Sequence, residues 1–247
     1  MARQLGDVLH YFLDDAPDVA EVAAKAQPCP IVAAPMHPRD AIRSALLWSI
    51  AVELRALGRA PTLLAPALQR DHSAWLDLAS EKLEPSWVSL PKGDVGPLLD
   101  AASGAASSLP QERGPVVLVH VPSDATWNDG HAELFERCWF VAGASDADRQ
   151  EFLELAERVL TAAPRSRIGV TVRGAETLPA ARQIFDGLAE LFEARFERNL
   201  TSYGLLVDEL ELARELAERH TALDGAPANR AKRALRDVAE LLRDDLH

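Results

Sequence analysis

From Ile31 onward the chain alternates short, unbroken apolar runs with longer stretches whose apolar residues recur every three or four positions. The runs are Ile31–Ala34, Thr62–Ala65, Trp87–Leu90, Val116–Val121, Trp139–Ala142, Ile168–Val172 and Tyr203–Val207. They are rich in Val, Ile and Leu and lack in/out alternation, which predicts strands covered on both faces. Between them, 40–57, 72–83, 96–109, 146–162, 176–192 and 208–220 read as helices, the first through Ile42, Leu46, Ile50 and Leu54. A last helix is predicted over 229–246. Strand–helix alternation sustained this long implies a mostly parallel sheet with helices on both faces, a three-layer α/β fold. Ahead of it, Leu5, Val8, Leu9 and Phe12 form one apolar helical face that Asp14–Pro17 ends, and a stretch with Pro28 and Pro30 follows. The predicted organisation is an N-terminal helix and linker over 1–29 and one α/β domain over 30–247.

Composition narrows the class. Of 247 residues, 48% are hydrophobic, so the chain is expected to fold around a sizeable core rather than stay disordered. Acidic residues outnumber basic ones 38 to 26, a formal charge of −12 that opposes a phosphate backbone; no nucleic acid partner is expected. The two cysteines, Cys29 and Cys138, lack metal-ligand spacing, and the first residues lack a signal-peptide pattern, so a cytoplasmic protein with reduced thiols is expected. No apolar run approaches the ~18 residues of a membrane span. The last helix mixes Arg233, Arg236 and Arg243 with Asp237, Glu240, Asp244 and Asp245, which suits a helix packed on the body better than one lying on anionic lipid.

In such a sheet, chemistry collects where strands end and helices begin. The first such turn, Ala33 through Ser44, leads into a helix closed by Leu57-Gly58-Arg59 and then Thr62-Leu63-Leu64-Ala65. Further on come Leu90-Pro91-Lys92-Gly93, Val116 through Ser123, and Ser202 through Glu209. In this layout, over roughly residues 30–245, the chain resembles the MinD/ParA-type P-loop ATPases of the SIMIBI class, nearest to the MinD-like regulators of flagellar number. The resemblance implies a P-loop NTPase-like fold with ATP between the first strand and first helix. A working loop reads G-x-x-x-x-G-K-[ST], its glycines letting backbone N–H groups close around phosphate. In the register through Gly58, the two glycine positions hold His37 and Ile42, Pro38 stands at the signature lysine, Arg43 at the P-loop lysine and Ser44 at the magnesium-binding position. Asp40 puts a carboxylate where phosphate belongs and is a good helix N-cap. Ala65-Pro66-Ala67 replaces a second family carboxylate, and His120 stands at the Walker B aspartate. The resemblance therefore implies a degenerate site: no turnover, no cofactor and no ATP-dependent dimer.

Other readings of these residues stay open at this level. Arg43 and Ser44 at a helix start suit a free anion, or Arg43 pairs with Asp40 or a neighbouring acid. His120, Ser123 and Asp124 are the types of a nucleophilic triad, although five residues of one strand end seldom give its geometry. His37, His120 and His131, with Asp124 and Asp129, are candidate metal ligands, but without ligand spacing inside any element; no metal is expected. Trp127, in the turn Trp127-Asn128-Asp129-Gly130, is either a partner anchor or folded back on the sheet. The N-terminal face (Leu5, Val8, Leu9, Phe12) docks on a partner, as the resemblance implies, or on its own domain. The expected function is a non-catalytic, cytosolic protein-interaction or regulatory module. Its partner would be a protein, such as an active ATPase or GTPase or a polarity, motility or secretion component. The alternative is an ATP-binding protein with an atypical loop.

Overall fold

The computed structural model describes residues 29–67, 83, 85–110, 112, 114–175, 177–206 and 230–246. The N-terminal face and the predicted helices over 72–83 (all but Leu83) and 208–220 lie outside the described residues.

All seven apolar runs form strands: β1 (Ile31–Met36), β2 (Ala60–Pro66), β3 (Ser86–Val88), β4 (Pro115–Pro122), β5 (Arg137–Ala142), β6 (Arg167–Arg173) and β7 (Thr201–Leu206). They form one parallel sheet in the order β3-β2-β4-β1-β5-β6-β7. The absence of alternation has its cause here. Val32, Ala34 and Met36 of β1 join one core layer while Ala33 joins the other, and Val116 and Leu118 of β4 are separated in the same way from Val117 and Val119. Helices α1 (Ala41–Ala56) and α5 (Arg230–Asp245) supply the first layer through residues such as Leu46, Ile50, Leu235 and Val238. Helices α2 (Gly96–Ser108), α3 (Asp146–Ala162) and α4 (Leu178–Phe196) supply the second through Leu98, Ala102, Phe152, Ala156, Leu188 and Phe192. The molecule is thus an α/β domain in three layers.

Helix starts follow local chemistry. Asp40, Ser145 and Thr177 cap α1, α3 and α4 by accepting the N–H of Arg43, Asp148 and Ala180. Pro179 in the first turn of α4 gives up a donor that has no intrahelical partner there, and the helix runs to Phe196, one turn past its predicted end. Gly58, at φ 86°, makes the reversal from α1 into β2 that a Cβ would resist. The segment Asp129–Phe135, overlapping the turn read at Trp127–Gly130, winds into 3-10 helix after a reciprocal cap between Asn128 and His131.

The last helix is fastened by more than its buried Ala234, Leu235, Val238, Ala239 and Leu242. Tyr203 donates from its hydroxyl to Asp245 Oδ2 at 2.7 Å, and Arg137 reaches the same carboxylate at 3.3 Å. The Tyr203 ring packs directly on Gly169 of β6, where a Cβ would come within 1.9 Å of its Cε2 atom. The predicted packing of this helix on the body is observed. Among the described residues no helix is long and apolar enough to cross a membrane.

Candidate functional site

Strand β1 lies between β4 and β5, and the connections of the adjacent β1 and β4 diverge, β1 running through α1 to β2 on one side and β4 to β5 on the other; ligands of open α/β sheets bind at the carboxyl ends of such strands. Four residues, His37 to Asp40, connect β1 to α1, with no glycine among them. The Asp40 N–H bonds the His37 carbonyl at 2.9 Å, and His37 Nδ1 accepts the Arg39 N–H at 3.1 Å. The helix then starts at Ala41. Its N-terminal amides face the Asp40 carboxylate, whose Oδ1 takes the Arg43 N–H at 2.9 Å. Ile42 is half-buried against the core and Pro38 is half-buried in the turn.

The Arg43 side chain is 5% exposed and turns toward α3. Its two terminal nitrogens donate to the two carboxylate oxygens of Glu151, each at 2.7 Å, the parallel fork that guanidinium and carboxylate favour. Arg43 Nη2 also lies 3.7 Å from Asp148 Oδ1, and Nε lies 3.3 Å from Asp40 Oδ2. Nε nonetheless makes no hydrogen bond, since its N–H is not aimed at that oxygen. Asp148 is shared: it accepts from Arg173 Nη2 at 2.7 Å and from Ser145 Oγ at 2.6 Å. Three carboxylates and two guanidiniums therefore meet at the end of β1, drawn from α1, α3 and β6.

Titration follows from this packing. Burial opposes the Arg43 charge, but Glu151 and Asp40 outweigh it and hold the guanidinium protonated. The fork from Arg43 lowers Glu151 below the usual carboxylate range against the burial that would raise it. For Asp148, burial is the largest influence and would raise it, yet the bonds from Ser145 and Arg173 and the field of Arg43 together bring it down. Beneath the cluster, Ser44 Oγ is 3.5 Å from His120 Nδ1 and 3.9 Å from Met36 Sδ, all three buried. His120 is fully enclosed inside β4, not on a connection, and burial drives its pKa down to about 3. It is a neutral imidazole at ordinary pH, a poor general base and a weak anion ligand.

The other candidates are scattered. Ser123 uses its N–H on the Met36 carbonyl, and Asp124 is exposed near Arg158, so the triad types do not converge on His120. His37 is exposed at the β1 turn, while His131 accepts from the Asn128 N–H and pairs with Asp94 at 3.2 Å. Among the described residues no group of three His, Cys, Asp or Glu could hold a metal. Trp127 is folded back: its indole N–H bonds the Pro122 carbonyl at 3.2 Å, its ring lies 5.0 Å from that of Phe135, and Arg158 covers it at 4.0 Å.

Of the predicted residues, the structure brings Asp40, Arg43, Ser44 and His120 together and leaves His37 and Trp127 outside the cluster. Sequence reasoning named Asp40 as a partner of Arg43 but missed Glu151, Asp148 and Arg173. A signal for two of them exists: Asp148 and Glu151 are three apart, on one face of the first turns of α3.

Short β1–α1 connection, central β1 and flanking helices define a doubly wound α/β domain. Comparison with solved structures specifies the type. A chain of the MinC:MinD cell division protein complex of Aquifex aeolicus superposes with a TM-score of 0.60 at 14% identity, covering 87% of this chain and 96% of that one. A ParA family ATPase from Chlorobium tepidum TLS gives 0.54 at 14% identity over 86% and 98% of the two chains. MinD of Aquifex aeolicus gives 0.54 at 14% over 87% and 97%. The fold is therefore of the MinD/ParA type. No protein-family model matches the sequence, and no curated protein matches it.

Proposed function

We propose that this domain is a non-catalytic member of the MinD/ParA fold, a protein-interaction or regulatory module whose phosphate-binding position is filled by its own carboxylates. One observation carries the reading: the Arg43 guanidinium, at the start of α1, is forked onto Glu151 while Asp40 caps the same helix end. Helix N-termini with a nearby cation attract phosphate. Here both attractions are already spent on side chains of the chain, and an entering triphosphate would meet three carboxylates. The glycine-free turn offers no run of free amides to offset that repulsion, and His120 supplies no magnesium-binding charge.

The partner is a protein. A chain of the same fold is found in a complex of MinC with MinD, and the net charge of −12 disfavours nucleic acid and anionic lipid. A cytoplasmic setting, and a partner drawn from ATPases, GTPases or polarity, motility or secretion machinery, complete the reading. The N-terminal face of Leu5, Val8, Leu9 and Phe12 is its expected docking element, and without nucleotide no ATP-dependent dimer forms.

Isothermal titration of the full chain with ATP and magnesium, beside a phosphate-release assay, tests the reading. No binding and no release are expected; micromolar binding would establish the atypical ATP-binding alternative instead. Co-purification from the native host, with the full chain and a chain lacking residues 1–15, tests the partner claim. A partner captured equally by both chains refutes the N-terminal docking element.

A further inference from the structure

The amino ends of the strands, across the sheet from the Arg43 cluster, carry a second charged feature. The turn from α3 into β6 and the turn from α4 into β7 close around a cavity of about 270 Å3. Three arginines line it, Arg165, Arg167 and Arg198, with Asn199 beside them and Ile168 in its wall; among the described residues no carboxylate lines it. Arg165 and Arg167 are both exposed on either side of the buried Ser166. Arg198 donates to the Pro164 carbonyl and so ties one turn to the other. The side chains of Arg165 and Arg167 make no hydrogen bond or ion pair within the described residues.

The charge is out of character for the chain. In a molecule of net charge −12, most other cations near an acid are paired with it, as Arg195 is with Glu157 and Arg236 with Glu240. Three guanidiniums around one cavity repel each other, and an anion between them removes that cost. Shape narrows the anion. A carboxylate presents two oxygens to forked donors, whereas a phosphoryl group presents three and can engage all three arginines. The cavity, about 270 Å3 and open to solvent on one side, is larger than a bare ion fills. We propose that this cavity binds a small phosphoryl-bearing molecule, with Arg165, Arg167 and Arg198 as its ligands. This site is independent of the nucleotide reading, which concerns the opposite edge of the sheet.

The test is calorimetric titration of the full chain with sodium pyrophosphate at constant ionic strength. One saturable site per chain is expected. Arg167→Ala and Arg198→Ala each weaken it about tenfold or more, the loss of a charge-assisted contact, while Arg182→Ala on the outer face of α4 leaves it unchanged. Arg165→Gln repeats the loss without touching the bond that joins the two turns, separating recognition of the anion from a loosened loop. Absence of saturable binding overturns the proposal, as does equal weakening by Arg182→Ala, which would mark a diffuse charge effect. A phosphoserine peptide binding about tenfold tighter than pyrophosphate would replace the small molecule with a phosphorylated protein.

Discussion

The Arg43–Glu151 fork invites the most direct perturbation, Glu151→Ala. The substitution leaves Arg43 buried and deprives its two terminal nitrogens of their partners. Breaking a fully buried pair by removing one member costs about 3–5 kcal/mol, and an exposed pair is worth about 0–1 kcal/mol. Glu151 lies between these limits, its side chain 39% exposed beside an Arg43 side chain at 6%. Asp148 and Asp40 remain within 3.7 and 3.3 Å to hold part of the charge. About 2 kcal/mol is therefore expected, after discounting for solvent screening. For a domain of this size that lowers Tm by roughly 4–8 °C. Urea unfolding and thermal melts measure it directly. A second measurement asks what the cluster binds once the carboxylate is gone. Inorganic phosphate should stabilise the Glu151→Ala chain more than the parent, with up to ~2.7 kcal/mol available at a hundredfold excess over Kd. An unchanged unfolding midpoint would refute the claim that the fork holds Arg43. Equal stabilisation of the two chains by phosphate would refute the claim that Glu151 occupies an anion site.

Acid stability should fall in two stages. His120 stays neutral in the folded state until about pH 3, whereas the unfolded residue gains its proton near pH 6.5. Stability is then full above about pH 6.5 and falls by up to ~1.4 kcal/mol per pH unit below it; His120→Gln should flatten this limb in urea midpoints measured at successive pH values. Glu151 and Asp148, with folded pKa values lowered, add stability above their unfolded values that is lost below about pH 4.5, so Glu151→Ala should shrink the loss at that lower step. Glu53, raised by burial against α5, works in the opposite direction and partly offsets it. Gly169→Ala should destabilise by roughly 1–3 kcal/mol through overpacking against the Tyr203 ring, and most of that cost should vanish in a Tyr203→Ala background; a double-mutant cycle in urea checks the coupling.

The inner strands were legible because they are covered on both faces, so an unbroken apolar run was their signature; Val116–Val121 and Trp139–Ala142 needed nothing else. Helix starts were legible where a capping side chain preceded the periodic residues, as Asp40 does. The sheet order was not, because a parallel crossover leaves no local mark of the slot its strand will enter. The same gap hid Glu151. Its partner is 108 positions away, and the two meet because β5 is placed beside β1, which brings the first turns of α3 next to those of α1. Asp148 sits in an acidic first turn that the helix dipole alone would favour, and Glu151 shares its face three residues on, but nothing local says which cation that face meets. Trp127 was read without direction for a related reason: the cation that covers it comes from α3.

The shared carboxylates at the end of β1 also bear on redesign. A glycine-rich turn and a lysine grafted into residues 37–43 would rebuild the amide cradle yet leave Glu151 and Asp148 facing it, so the graft by itself would repel the phosphate it was made to hold. Neutralising α3 first would strand Arg43, at a cost to stability. Each step toward a working loop is unfavourable until the other has been taken, and a library that varies one element at a time will not cross that barrier; the two must be changed together.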